Sequence, residues 1–247
     1  MAKSFEEIDY QWCYDRMLEI IKRGKGKFDD DDDKEIFLNL ISTMKNPNID
    51  GKNEAGINMI DGDGLTLLHH ACRHGQTDIA TLLVDNQACI DISDTKGWTP
   101  LHHTCRYGHT DIATLLIENK ASINAITTFG RTPLHYACAK GYKDIATLLI
   151  ESQANTNIAN NGGLTPLHCA CGKGYIDIAK LLIESGADIT LSTSRRKTPL
   201  DYIKDPKLKK ELQQLAQKYQ AKKINSNAFF QPNNNNNEES PSSSFTP

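Results

Sequence analysis

Threonine recurs at a spacing of 33 residues, and this spacing constrains the 247-residue chain more than any other feature. The residues are Thr66, Thr99, Thr132, Thr165 and Thr198. A fixed period of this length is typical of repeat arrays, in which each unit buries its apolar face only against its neighbours. The sequence therefore predicts four full repeats, which cover 66–98, 99–131, 132–164 and 165–197.

Each repeat has the signals of two short helices followed by a turn. In the second repeat Thr99 suits the N-cap, Pro100 suits the first helical position, and Gly108 ends the helix. A second helix is predicted from about Thr110, and residues 120–131 then lack helical periodicity. Helices this short are not stable alone in water, so their stability must come from stacking.

The repeats resemble those of the ankyrin repeat family. The resemblance rests on the tetrapeptide Thr-Pro-Leu-His at 99–102, 132–135 and 165–168, preceded two residues earlier by glycine, and on second helices that read Asp-Ile-Ala-x-Leu-Leu. It implies an all-α solenoid of stacked helix-turn-helix units with hairpin-like fingers. One departure is that the family usually has glycine after the second helix, whereas this chain has Gln87, Lys120 and Gln153 there.

The two ends of the array are less regular than its centre. We expect residues 1–65 to form an N-terminal helical cap with one or two degenerate repeats; a separate small helical domain is the alternative. Residues 198–223 are predicted to form a C-terminal capping repeat, and 224–247 an Asn- and Ser-rich disordered tail. An amphipathic stretch from Phe5 to Arg23 belongs to the N-terminal cap, and its candidate inner residues are Ile8, Trp12, Met17, Leu18 and Ile21.

The composition limits the classes of function. The formal net charge is −3 and the hydrophobic fraction 38%. No apolar run is long enough for a membrane span, and the N-terminus lacks the pattern of a secretory signal. Because the charge balance is near neutral, binding of nucleic acid through bulk charge is not expected. Seven cysteines are too few for a disulfide scaffold, so we expect a reducing compartment, the cytoplasm or also the nucleus.

Histidine and cysteine recur three residues apart in every full repeat, which raises the question of metal binding or catalysis. The pairs are His69/Cys72, His102/Cys105, His135/Cys138 and His168/Cys171. Because they recur at the repeat period, the family resemblance implies a structural role, with the histidine hydrogen-bonded to the threonine hydroxyl and to a neighbouring repeat. No phosphate-binding glycine loop is present. The sequence predicts no enzyme, no metal, no cofactor and no small-molecule substrate.

The positions through which the family usually binds proteins are the finger tips and the exposed side of the first helices. In this chain those positions are mostly basic or aromatic, with acids nearly absent, whereas the second helices carry acids. Tryptophan, tyrosine and arginine are enriched at binding hot spots. The predicted partner-binding residues are Arg73, His74, Lys96, Trp98, Arg106, Tyr107, Phe129, Arg131, Lys140, Leu164, Lys173 and Arg195.

These patterns predict a protein–protein interaction module, an adaptor or scaffold that binds a protein partner through its concave face. The basic lining favours an acidic segment of that partner. One alternative is an assembly chaperone or regulatory subunit of a larger complex. A second, less favoured alternative is a binder of nucleic acid or of an anionic surface.

Overall fold

The computed structural model describes residues 10–24, 31–45 and 56–228. Ile8, predicted to be an inner residue, lies outside this part, as do residues 229–247 of the predicted tail. Within the described residues the regular elements are eleven α-helices and one 3-10 helix, without strands. None of these helices has the length and apolar character required to cross a bilayer.

Four helix pairs form the centre of the molecule, one for each full repeat. In each pair the first helix has eight residues and the second has nine. Their bounds are α3 Leu67–His74, α4 Thr77–Asp85, α5 Pro100–Tyr107, α6 Thr110–Glu118, α7 Pro133–Lys140, α8 Lys143–Glu151, α9 Pro166–Lys173 and α10 Ile176–Glu184. The helices predicted for the second repeat are therefore confirmed, with Thr99 as the N-cap and Gly108 as the C-cap of α5.

The recurring threonine and histidine join the start of each first helix to the finger that ends the same repeat. The backbone N–H of Thr99 donates to Nδ1 of His102 over 3.1 Å. Because an N–H can only donate, Nδ1 is unprotonated and the proton lies on Nε2, which donates to the carbonyl oxygen of Arg131 over 3.0 Å. The same pattern links His69 to Trp98 and His135 to Leu164. The histidine thus connects the start of one first helix to the end of the next finger.

The fingers are also connected by a row of backbone hydrogen bonds. The N–H of Thr95 donates to the carbonyl of Asp63, and the N–H of Thr128 donates to that of Lys96, both over 3.0 Å. Gly97, at φ 73°, lies so close to the next finger that a Cβ atom would be 3.0 Å from the nitrogen of Thr128. The glycine before each Thr-Pro therefore permits both the turn and the close approach of adjacent fingers.

The core lies between the two layers of helices. One apolar cluster extends from Cys13 to Ala216, with small residues such as Ala137 and Cys138 fully buried on the first helices. The first helices contact one another more extensively than the second helices do. Since small side chains permit closer packing, the first helices and fingers form the more tightly packed side of the stack, which we call the inner side.

The chain turns a corner after each second helix, and at three of these four corners a residue other than glycine takes the left-handed conformation. Gln87, Lys120 and Gln153 have φ between 67° and 69°. In the fourth repeat Gly186 occupies the same position at φ 89°. The fold therefore accepts a conformation that costs an ordinary residue roughly 1 kcal/mol at three of its four corners.

At the N-terminal end, α1 (Tyr10–Arg23) packs on α3 of the first repeat, and α2 (Asp31–Lys45) packs on α1. The hydroxyl of Tyr14 donates to the carbonyl of Leu65 over 2.8 Å, and Gln76 donates to the carbonyls of Ile21 and Gly24. Helix α1 therefore lies where another first helix would be.

One predicted inner residue of α1 is wrong. Met17 and Ile21 are buried and Leu18 is partly buried, but Trp12 is 59% exposed. Its neighbours Cys13 and Tyr14 enter the core instead. The contact of α1 with α3 sets which side of the helix faces inward, and that contact is not encoded in the helix period alone.

At the C-terminal end, Thr198 precedes a 3-10 helix, Pro199–Tyr202, and α11 extends from Pro206 to Ala228. Asp201 replaces the histidine and accepts from the backbone N–H of Thr198 over 2.9 Å. Leu212 and Ala216 of α11 are buried against α10. The helix continues beyond the predicted end at residue 223, so 224–228 belong to it rather than to the predicted tail.

Candidate functional site

The predicted partner-binding residues are on the surface that the stack leaves open. Most are exposed, with Phe129 the most open of the aromatic ones at 60%. Trp98, Arg106 and Leu164 are half-buried. Among the described residues, the cations in this set form no ion pair. The exposed cations of the set are Arg73, Lys96, Arg131, Lys140, Lys173 and Arg195.

Five of the predicted residues line one cavity of about 250 Å³. It lies between the first two fingers and the ends of α3 and α5, and we call it the Trp98 cavity. The five are Arg73, Lys96, Trp98, Arg106 and Tyr107, and the other lining residues are Asp63, Leu65, Asp94, Thr95 and His103. The remaining predicted residues do not line this cavity.

Arg106 is held in the Trp98 cavity by aromatic rings. Its guanidinium carbon lies 5.4 Å from the ring centre of Trp98 and 5.9 Å from that of Tyr107. Rings at this distance attract a cation, and Arg106 has no acidic partner among the described residues. The guanidinium is therefore positioned while its hydrogen-bond donors remain available to a ligand.

Trp98 is part of the scaffold as well as of the cavity. Its ring centre lies 4.4 Å from that of Tyr136 and 5.1 Å from that of His103. Its backbone carbonyl accepts the proton of His69. A truncation of Trp98 would therefore disturb the packing of three repeats together with the surface.

Two acidic residues that were not predicted as binding residues also line the cavity. Asp94 Oδ1 accepts the N–H groups of Lys96 and Trp98 over 2.8 Å each, which fixes the finger turn. Its Oδ2 lies 3.5 Å from Nε2 of His103, too far for a good hydrogen bond. Asp63 is the second acid. The expectation that acids are nearly absent from this face is therefore wrong at this cavity.

His103 is a buried residue of the cavity without hydrogen-bond partners. It is 7% exposed, and both of its ring nitrogens lack a partner. Burial lowers the pKa of His103 well below its ordinary value, and the nearby His69 lowers it further, so the ring is neutral at pH 7. In the first repeat the equivalent His70 donates to Asp61 over 2.8 Å. The sequence signal was the pairing of Asp, five residues before the threonine, with His, four residues after it, in these two repeats only.

Comparison with known proteins supports the family seen in the repeats. A family model described as ankyrin repeats (3 copies) matches residues 30–127 and 120–193, about two thirds of the chain. The chain belongs to the ankyrin repeat family. No curated protein matches the sequence. Ankyrin repeats are protein–protein interaction modules, and this is the general function that membership gives.

The recurring His and Cys residues have structural roles in this ankyrin array. Both ring nitrogens of His102 and His135 are used by hydrogen bonds, Nδ1 with the N–H of the N-cap threonine and Nε2 with the carbonyl at the end of the following finger. Burial lowers the pKa of each histidine to about 4. Burial raises the pKa of the Cys72 thiol to about 12, so it is not a nucleophile at pH 7. In the described part of the chain, no three His, Cys, Asp or Glu residues are grouped to hold a metal ion.

Proposed function

We propose that this ankyrin-repeat protein acts as an adaptor that binds an acidic segment of a partner protein along its fingers and first helices. The observation that carries the proposal is the set of exposed, unpaired cations on this face. Acidic side chains on the second helices are exposed on the other layer, among them Asp111, Glu118, Asp144 and Glu151. An acidic segment is therefore attracted to the inner face and repelled by the outer one.

Aromatic residues between the cations favour a protein over a nucleic acid. Phe129 is exposed at a finger tip, and Arg131 lies 5.8 Å from the ring centre of Tyr136. Asp63 and Asp94 interrupt the basic face at the Trp98 cavity. A groove that follows a phosphate backbone needs continuous positive charge, and these acids oppose it.

The test is binding of a library of acetylated, amidated peptides rich in Asp and Glu, measured by fluorescence anisotropy. The double variant Arg131→Glu/Lys140→Glu should weaken binding about tenfold or more, since each reversal replaces attraction by repulsion. The matched control is Lys120→Glu/Lys143→Glu, which makes the same change on two exposed residues beside or within the second helix layer. Equal loss in both variants, or no loss in either, contradicts the proposed face.

Two further measurements separate the aromatic and the electrostatic contributions. Phe129→Ala should weaken peptide binding and leave folding intact, because this ring is largely exposed. Phe129 is a cleaner probe than Trp98, which packs on Tyr136. A single-stranded oligonucleotide should bind more weakly than the best acidic peptide at physiological salt; tighter binding of the oligonucleotide favours the nucleic-acid alternative instead.

A further inference from the structure

From the Trp98 cavity we infer a more specific contact: it is an anchor site for one carboxylate, that of an internal glutamate or aspartate side chain in the partner segment, bound by Arg106 and Arg73. The inference rests on the proposed function and adds the residue class that the partner must present. It assigns to the cavity a role distinct from that of the other exposed cations.

The size of the cavity favours a single side chain. Its volume is about 250 Å³, whereas pockets for cofactors and drug-sized ligands usually have roughly 300–1,000 Å³. It nevertheless has room for several waters, each of which takes about 30 Å³ in the liquid. A side chain that enters from an extended partner segment fits this space and can leave its backbone outside.

The charges of the cavity favour a carboxylate over a phosphate. Arg73, Lys96 and Arg106 face two carboxylates, those of Asp63 and Asp94, so the lining has one positive charge in excess. His103 adds no charge because its ring is neutral at pH 7. A monoanion balances this excess, whereas a dianionic phosphoryl group would meet repulsion from both acids.

The donors at the cavity suit an oxyanion ligand. Arg106 is positioned by Trp98 and Tyr107, and its planar fork matches the two oxygens of a carboxylate. His103 lines the cavity as well, but both of its ring nitrogens are closed off from solvent and Nε2 faces Oδ2 of Asp94. The donors open to a ligand are therefore those of Arg106, Arg73 and Lys96.

The experiment uses the full chain and single-residue probes, observed through the Trp98 indole N–H by NMR. N-acetyl-glutamate α-amide should shift this signal saturably, with a Kd on the order of 1–10 mM for so small a ligand. N-acetyl-glutamine α-amide, which has the same shape without the charge, should not shift it. N-acetyl-glycine presents a terminal carboxylate and should bind more weakly, because it lacks a side chain to reach into the cavity.

Arg106→Lys keeps the charge but removes the planar fork, and should weaken the glutamate probe about threefold to tenfold. The matched control is Arg196→Lys, since Arg196 is exposed, is not among the predicted partner-binding residues and does not line the cavity. It should leave the affinity unchanged. The amide spectrum of each variant checks that it is folded.

Four results would overturn the inference: no shift with the glutamate probe, an equal shift with the glutamine probe, tighter binding of N-acetyl-O-phosphoserine α-amide, or wild-type affinity in Arg106→Lys. None of them bears on the charge reversals at Arg131 and Lys140. Loss of peptide binding in that double variant, together with a failed cavity test, would leave the proposed function standing without this anchor.

Discussion

The first two repeats and the last two share a scaffold but differ in the side chains that line the inner face. All four have the threonine–histidine hydrogen bonds to the next finger. Four residues after the threonine, however, the first two have histidine, the third has Tyr136 and the fourth has Cys169. Three residues later, arginine in the first two is replaced by Ala139 and Gly172. A repeat thus holds its backbone with few residues and leaves the lining free to vary.

The finger turn shows why this variation is permitted. Its first residue needs to supply only one acceptor oxygen to the backbone. Asp94 does so with Oδ1, and Asn160 does so with Oδ1 to the N–H groups of Gly162 and Leu164 over 2.9 Å. The other side-chain atom of this residue does not hold the turn, and in the second finger it is Oδ2 of Asp94, which lies beside His103.

The largest expected effect concerns the shared scaffold and appears on acidification. His102 and His135 have pKa values of about 4 when folded, against an ordinary value of 6.5. The unfolded chain therefore binds more protons between pH 6.5 and 4, and stability falls as pH decreases through that window. Each of the two should lower the free energy of unfolding by roughly 2 kcal/mol at pH 5. Urea denaturation at pH 7 and pH 5 measures the change, and equal stability at both would contradict it.

The next effect tests a single link of that scaffold. His102→Ala leaves the N–H of Thr99 and the carbonyl of Arg131 without their partners in a buried region, and should reduce the free energy of unfolding by about 3 kcal/mol. His74→Ala is the control, because His74 is exposed, and should change it by less than about 0.5 kcal/mol. Urea denaturation of the two variants compares them. A loss below about 1 kcal/mol in His102→Ala would show that the link is dispensable.

A smaller effect distinguishes the first three corners from the fourth. Gln87→Gly, Lys120→Gly and Gln153→Gly should each stabilise the protein by about 1 kcal/mol, because glycine adopts the left-handed conformation without steric cost. Gly186→Gln should destabilise it by a similar amount. Thermal unfolding reports each shift. Asn86→Gly, one residue earlier at φ −96°, is the control and should bring no gain.

The smallest expected effect on stability concerns Asp94, which both holds a finger turn and lines the Trp98 cavity. Asp94→Asn retains the oxygen that holds the finger turn, as Asn160 does in the fourth finger, and should change the free energy of unfolding by less than about 0.5 kcal/mol. It also removes one acid from the Trp98 cavity, so binding of N-acetyl-O-phosphoserine α-amide should strengthen relative to the glutamate probe. Urea denaturation and NMR titration measure the two effects. A large loss of stability would show that Oδ2 of Asp94 also supports the fold.

The sequence was sufficient for the repeats because their boundaries depend on local chemistry. Thr99, Pro100 and Gly108 each suit one position at a helix end, and the structure has them there. At the ends of the array local signals are weaker. The side of α1 that faces inward is set by contacts such as that of Tyr14 with Leu65, and α11 extends past residue 223 because no proline or glycine interrupts 207–228.

The candidate site was predicted only in part. Arg73, Lys96, Trp98, Arg106 and Tyr107 were selected as family binding positions, and the structure brings them together in the Trp98 cavity. Asp94 and His103 were missed. In other repeats the residue at the position of Asp94 holds the finger turn, and the residue at the position of His103 packs in the first-helix core. Only the approach of Asp94 to His103 in three dimensions gives these two residues a further role. The grouping into one cavity also depends on the approach of adjacent fingers, which sequence spacing does not specify.

The row of hydrogen bonds between fingers has a mechanical consequence. Each tip is tied to the next through backbone atoms, as in Asn161 to Phe129 and Ser194 to Gly162. In the described part of the chain no backbone hydrogen bond joins one second helix to another, and these helices touch less extensively. We therefore expect the stack to bend about the finger edge, with the distances between second helices changing most. A segment bound along that edge, as proposed above, would keep a nearly constant spacing to the fingers.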